Sequence, residues 1–542
     1  MIASSPIIDI QTAKEQEWEV IIIGSGMGGC SAAYQLAKYG RKVLIVEKGL
    51  AKMSQHEGVE TAEADPNERL KSGKWPTQLT AVIDNRKSEV WAPLGCGAGG
   101  STSLYAAALQ RLEPSDFETQ PLPSGKSIEW PFSYDELSPY YTEAEALFSV
   151  CGTDDPLNNK NKSSLLAPPA MCEADRHYFQ EFQAAGLHPY RLHAGIKYEN
   201  ACVECGGHIC PRGCKQDANN ACLQPALRTG NVFFVEQVET EKLIANKHQI
   251  QSIQIKDKNQ LQHRLSAKVV ILSAGAFFTP VILQNSISKE WPDGLSNKSG
   301  LVGKNLMFHA GHHIAFWPRD KYSRQGANKT IALRDYYQLN DKKYGEFQST
   351  GLSSSYGNVV YALQLLFDQS ILRHFKILKQ FLRIPAYIAT KLYGDATVFA
   401  TIVEDYPYKE NCIIADNSTA SGMRFEYHKH KELTERTADF KKIICKRLKR
   451  LRSVPMGPIH LNYGHPCGTC KSGSNPKYSV IDRNCKSHDI DNLYIADASF
   501  MPTSGGTNPS LTVAANALRV ADKINLRLDS LPSIRQAISD NT

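Results

Sequence analysis

At 542 residues the chain is long enough to bury more than one large core, and its 42% hydrophobic and 22% charged composition describes a soluble globular protein. A net charge of +7 is mild for this length, and without a continuous basic run it argues against a nucleic-acid partner. The chain opens without a basic leader before an apolar stretch and has no run of about 18 apolar residues, so neither a signal peptide nor a spanning helix is expected, and a cytoplasmic location is.

In chain order, the apolar run 20–23 predicts a buried parallel strand. A turn rich in glycine follows. Gly24 permits the tight bend, Gly26 lets the backbone approach a pyrophosphate, and Gly29 lets the next helix pack close to the strand. That helix, expected over 30–39, aims its positive end at the phosphates. A second strand over 42–46 ends in Glu47, placed for the ribose hydroxyls of an adenosine. Strand, turn, helix, strand and acid in this order predict dinucleotide binding; an ordinary strand-turn-helix leaves Glu47 at the end of a buried strand unexplained.

Residues 51–87 are polar and irregular and read as a lid-like excursion, and 91–108 turns from glycine-rich to small and apolar. Residues 130–150 predict an acidic helix capped by Ser133 or Asp135, with Tyr140, Ala144, Leu147 and Phe148 as its apolar face. Strands are expected over 231–243, 249–256 and 268–272, the last running into a helix with Pro280 in its first turn. From 310 to 452 nucleotide features are missing, and they return in 462–527. The fold class expected is therefore α/β: a Rossmann-like nucleotide domain assembled from 1–135, 201–309 and 456–542. Substrate-side helices at 136–200 and a substrate domain at 310–455, with an antiparallel sheet, are inserted.

Five of the 14 cysteines fall within 202–222. Cys202, Cys205, Cys210 and Cys214 leave three readings open: buried thiols or disulfides, an iron–sulfur cluster, and a structural zinc. Cys222 is one too many for a four-ligand site, and Cys467 and Cys470 read as packing residues. Residues 371–393 mix large apolar with basic side chains, which suits either a core-facing helix with a solvated back or peripheral contact with a membrane or a greasy pocket. Residues 324–343 read as a polar lid or hairpin. Glu404 and Asp405 receive no role.

The stretches GSGMGG at 24–29, APLGCGAGGSTSLYAAA at 92–108, VVILSAGAFFTPVILQNS at 269–286, LVGKNLMFH at 301–309 and HPCGTC at 465–470, followed by 492–522, resemble the glucose–methanol–choline (GMC) flavoprotein oxidoreductases. The likeness leans to cholesterol-oxidase-like and cysteine-rich bacterial members. It implies FAD, with Gly24, Gly26 and Gly29 at the diphosphate and Glu47 at the ribose. It places Val238 at the adenine through its backbone, Gly99, Gly100 and Ser101 along the diphosphate and ribityl chain, and Asp497 and Ala498 against the cofactor where the last strand ends. Some members tether FAD through a histidine where this chain has Leu104, so non-covalent FAD is expected; Tyr105 stands where many members have asparagine.

The resemblance also implies alcohol oxidation. A hydride passes to flavin N5 while His465 accepts the hydroxyl proton, and Asn508 donates a hydrogen bond that fixes the hydroxyl. Electrons then go to oxygen or another acceptor, with an iron–sulfur relay as one use of the cysteines. The substrate expected is a small-molecule alcohol, with a lean to a sterol, terpenoid or long-chain alcohol. The alternative is a reaction on the same scaffold with no net alcohol oxidation, such as a lyase, isomerase or photodecarboxylase. His465 also reads as a loop histidine bonding a carbonyl, and Asn508 as a plain helix cap. His309 is expected to support a domain junction, and His460 and His488 to be structural or superficial.

Overall fold

A run of consecutive buried aliphatic residues has no solvent face, so it needs a strand covered on both sides. Strand Trp18–Ile23 meets that need at the centre of a five-stranded sheet. The order is Leu493–Ile495, Ala267–Leu272, Trp18–Ile23, Val43–Val46, Val232–Val235, and every pair is parallel. Three widely separated parts of the chain thus build one sheet. Helix Met27–Lys38 and helix Ser510–Ser530 pack together and share its apolar core. The computed structural model describes residues 5–53, 65–122, 125, 127–158, 163–200, 202–318, 320–351, 356–370, 372, 375–393 and 396–530.

Most expected elements are present with shifted ends. The first helix starts at Met27, capped by Gly26, so Gly28 and Gly29 lie inside its first turn. The strand expected over 231–243 is broken at Gln237, whose φ of 57° is left-handed; Val232–Val235 joins the parallel sheet and Val238–Ala245 a three-stranded antiparallel one. Pro280 sits well inside helix Gly275–Asn285 rather than in its first turn. Proline removes the N–H that the Ala276 carbonyl would have accepted. That carbonyl instead accepts the Thr469 hydroxyl at 2.7 Å. Thr469→Val should therefore lower stability by about 1–3 kcal/mol, read as a lower urea midpoint at unchanged slope.

The excursion at 51–87 is more regular than its composition suggests. Residues 54–64 lie outside the described residues, but Leu79–Ile83 and Arg86–Val90 form a hairpin. Asp84 and Asn85 both have positive φ, as a two-residue turn with primed geometry requires. The hairpin joins a four-stranded sheet by pairing with Met423–Tyr427. Helix Tyr134–Leu147 is capped by Ser133 in a reciprocal box with Glu136. It buries Tyr134, Leu137, Tyr141 and Ala144, while Tyr140 and Leu147 are half-buried. Tyr141 bonds Thr512 at 2.7 Å, so this helix packs on the nucleotide side and not on the substrate side. Helix Glu173–Ala184 does face the other layer, with Tyr178 and Phe182 among Phe316, Phe347 and Phe399.

That layer is a six-stranded antiparallel sheet. Its long strands Met307–Trp317 and Arg452–Cys467 run side by side, so the boundary expected at 455 falls inside a strand. Of the two readings of 324–343 the hairpin holds, since Gln338–Leu339 pairs with Lys342–Lys343 around an exposed turn at Asn340 and Asp341, but the stretch is not a wholly superficial lid. Arg334 and Lys343 are buried because each charge has a partner: Arg334 bonds Glu346 at 2.9 Å and Glu113, and Lys343 pairs with Asp116 and with Glu404 at 3.4 Å.

Candidate active site

The carboxyl ends of parallel strands leave a crevice, because each strand must turn there into its crossover. A cavity of about 1310 Å³ fills it. Ile23, Val46, Glu47, Ser273 and Asp497, all at or just past strand ends, line it. Gly24, Gly26, Gly100, Ser101, Val238 and Ala498 line it as well. Gly29 and Gly99 do not; they shape the turns behind the wall. A Cβ on Gly28 would lie 1.5 Å from the Ala496 carbonyl, and one on Gly100, at φ 53°, would lie 2.7 Å from Gly26 Cα. The two glycine turns are thus backed against each other, leaving a bare backbone cradle of the kind a diphosphate occupies.

Glu47 does more than expected. Its Oε2 accepts Ser25 N–H at 3.0 Å and the Ser25 hydroxyl at 2.7 Å, and its Oε1 accepts Gly49 N–H at 2.8 Å and Gly97 N–H at 3.1 Å. One buried carboxylate holds both glycine turns in place while lining the cavity. Val238 lines the cavity and donates its N–H to the Glu47 carbonyl, so that N–H is not free for a base. Asp497 accepts Gly275 N–H at 2.9 Å and Ser499 N–H at 2.8 Å, and burial raises its pKa. The first turn of helix Ser510–Ser530 reaches the cavity through Ser510 and Val513.

His465 lies on strand Arg452–Cys467, and His309 on the strand paired with it. Their Nδ1 atoms are 3.0 Å apart, and His309 Nε2 is 3.0 Å from the Gly505 carbonyl. A carbonyl only accepts, so His309 carries its proton on Nε2 and accepts at Nδ1. His465 must then donate its Nδ1–H, which leaves Nε2 as a bare lone pair. Burial lowers both pKa values, His309 to about 4 and His465 well below its ordinary value, the latter also pushed by His309 and Lys329. His309 therefore sets the tautomer of His465, a role beyond the junction support expected of it.

A smaller chamber of about 230 Å³ adjoins the cavity and shares Lys329, Asn462 and His465 with it. Asn508 lines this chamber and not the larger cavity. Its Nδ2 donates to Gln110 Oε1 at 2.8 Å and Gln348 Oε1 at 3.0 Å. Gln110 is oriented by donating its own amide to Glu346 and Tyr190, which fixes Asn508 as donor in this pair. Both amide hydrogens are thus spent, and Asn508 offers a substrate its carbonyl oxygen rather than the donor expected. His460 also lines the chamber, its ring 5.3 Å from that of His313, and is exposed to solvent, as expected of a superficial residue. His488 bonds Ser479 at 2.9 Å and is structural.

Lys329 escaped the sequence reading. It is buried, lines both spaces and donates Nζ–H to the Ala106 carbonyl; burial pushes its pKa down to about 8. Leu104 and Tyr105 line the cavity, with the Tyr105 hydroxyl held by the Gln216 carbonyl.

Family models described as GMC oxidoreductase match residues 18–311 and 425–517. The chain belongs to the GMC oxidoreductase family. As a member it is an FAD-dependent oxidoreductase acting on CH–OH donors. It is 27% identical to 6'''-hydroxyparomomycin C oxidase of Streptomyces lividus, over 94% of this chain and 92% of the relative. It is 26% identical to 2-methyl-1,2-propanediol dehydrogenase of Mycolicibacterium austroafricanum, over 98% and 99%. A formate oxidase of Aspergillus oryzae, studied for modification of its FAD, has the same fold: TM-score 0.66 at 16% identity, covering 96% of this chain and all of that one.

In this GMC oxidoreductase the cysteine-rich loop borders the cavity through Val203, Glu204, Gly206, Gly207 and His208. Cys202, Cys205, Cys210 and Cys214 are free thiols packed around Cys151, while Cys222 lies apart against Ser31 at 3.7 Å. Among the described residues no three histidine, cysteine or acidic side chains converge as ligands for one metal ion. The loop is tied down by Lys215, whose buried ammonium donates to the carbonyls of Ser103, Tyr105, Cys205 and His208 at 2.6–3.2 Å.

Proposed function

We propose that this enzyme oxidises the CH–OH group of a small-molecule alcohol with His465 Nε2 as the acceptor of the hydroxyl proton. The observation that carries the reading is the hydrogen-bond chain from Gly505 through His309 to His465, which presents an unprotonated nitrogen to the chamber. Bound FAD supplies the hydride acceptor. Asn508 positions the hydroxyl group through its carbonyl oxygen, and His465 holds the proton with its Nδ1–H still donated to His309. Leu104 offers no nucleophile for a covalent link, which supports non-covalent FAD. The cysteines act as packing thiols, and electrons leave to oxygen or another carrier.

The chamber lining of Lys329, Gln348, His460 and Asn462 favours an alcohol with oxygen functions beyond the reacting one. That fits the hydroxyparomomycin and propanediol of the relatives' names better than the lipophilic alcohol suggested by residues 371–393. A lysine that titrates near 8 instead of about 10.4 is charged below that pH and neutral above it. On this reading kcat/KM for a polyhydroxylated alcohol falls above pH about 8, and Lys329→Met removes that limb and raises KM. An alkaline limb unchanged in Lys329→Met overturns the assignment.

The test of the proposal is turnover of an alcohol panel with a dye acceptor and mass analysis of the product. Loss of two hydrogens with matching dye reduction is expected. A product formed without dye reduction favours the lyase or isomerase alternative.

A further inference from the structure

Large apolar side chains on an amphipathic helix normally face the core. Helix Arg383–Tyr393 reverses this order. Ala386 is fully buried, Ala389 and Thr390 are half-buried, and the helix packs against helix Tyr356–Gln369. Ile384, Ile388 and Leu392, on the opposite side, are 61%, 54% and 63% exposed. The short 3-10 helix Lys376–Leu382 that precedes it continues the surface with Ile377 and Phe381, 72% and 60% exposed, and Phe375 stands beside them at 59%. An apolar patch of this extent on one connection marks an interaction face.

Charge identifies the partner. Residues 371–393 hold Arg373, Lys376, Lys379, Arg383 and Lys391 and no aspartate or glutamate. Arg383 and Lys391 are exposed within the apolar patch. A second copy of this chain placed on the patch by two-fold symmetry would set these cations against each other. We propose that residues 375–392 dock on an anionic lipid bilayer, with the apolar side chains entering the acyl boundary and the cations meeting lipid phosphates. Among the described residues no helix is long and apolar enough to cross a membrane, which fits a segment lying in the interface. Thr350 and Gly351, on the N-terminal side of this connection, line the cavity. The inference stands on surface geometry and is independent of which alcohol is oxidised.

The experiment is flotation of the full-length, FAD-loaded protein with vesicles of phosphatidylcholine alone or mixed with phosphatidylglycerol. The wild type should float with the mixed vesicles and far less with the neutral ones. The triple variant Ile377→Ser, Phe381→Ser, Ile388→Ser should lose roughly tenfold or more of the partition. The double variant Arg383→Glu, Lys391→Glu should fall to the neutral-vesicle level. Both should keep the flavin spectrum and the wild-type rate on a water-soluble alcohol, which separates lost docking from lost folding or chemistry. A wild type that stays soluble with both vesicle types overturns the proposal. So does a triple variant that floats normally, or a wild-type dimer in solution that the triple variant dissociates.

Discussion

His465→Ala lowers the rate of alcohol oxidation by roughly a hundredfold to ten-thousandfold while FAD stays bound. The size follows from where the histidine sits. It is half-buried, lines the chamber with its Nδ1 engaged by His309, and no carboxylate stands beside it among its hydrogen-bond partners. On the proposed reading, without it the hydroxyl proton has no base, and breaking the C–H bond would leave a cationic product. The loss should appear in kcat and kcat/KM alike, because the interaction is made only as the proton moves. Asn508→Ala should cost less, since its amide hydrogens serve Gln110 and Gln348 and only its carbonyl faces a substrate. Stopped-flow reduction under nitrogen measures both directly.

His309→Leu should cost roughly a hundredfold, although His309 need not touch the substrate. Leucine offers no acceptor to His465 Nδ1–H, so that buried donor is orphaned and the tautomer with a protonated Nε2 becomes competitive. His309→Asn should recover most of the rate, because an asparagine carbonyl can accept from His465 while its amide donates to Gly505. Recovery with asparagine and not with leucine separates tautomer control from mere packing. The same chain sets the acid limit. Protonating His465 at Nε2 removes the acceptor, and burial opposes that protonation; His309 itself is pushed down to about 4. Activity should therefore persist below the ordinary histidine value of about 6.5, with the acid limb of kcat/KM lying below that value. An acid limb at pH 7 would contradict the neutral pair.

The glycine turns, Glu47 and the discontinuous sheet were legible because each rests on a local rule: a buried strand reads as an apolar run, and a close approach reads as glycine. Gly28 was the miss within that motif. Its need for a bare backbone comes from Ala496, some 470 residues away in sequence, and no local pattern announces it. The hairpin at 79–90 was readable in principle from alternation around Asp84-Asn85, but the polar residues of its exposed strand hid it. Arg334 and Lys343 were misread because their partners Glu113, Asp116, Glu346 and Glu404 come from other segments, and a charge reads as exposed until its partner is known. His465 was singled out through its motif. The roles of His309, Lys329, Gln110 and Gln348 depend on tautomer and amide orientation set across strands, which only the three-dimensional pairing shows.

The central claim is tested most directly by an anaerobic absorption spectrum of the purified enzyme, titrated with diols, sugars and amino sugars, long-chain alcohols and sterols. Flavin bands that bleach with one class in the wild type, and fail to bleach at a comparable rate in His465→Ala, are the expected result. Flavin bands that bleach equally fast in His465→Ala would contradict the role of His465, and a protein that takes up no FAD on reconstitution would contradict the site itself.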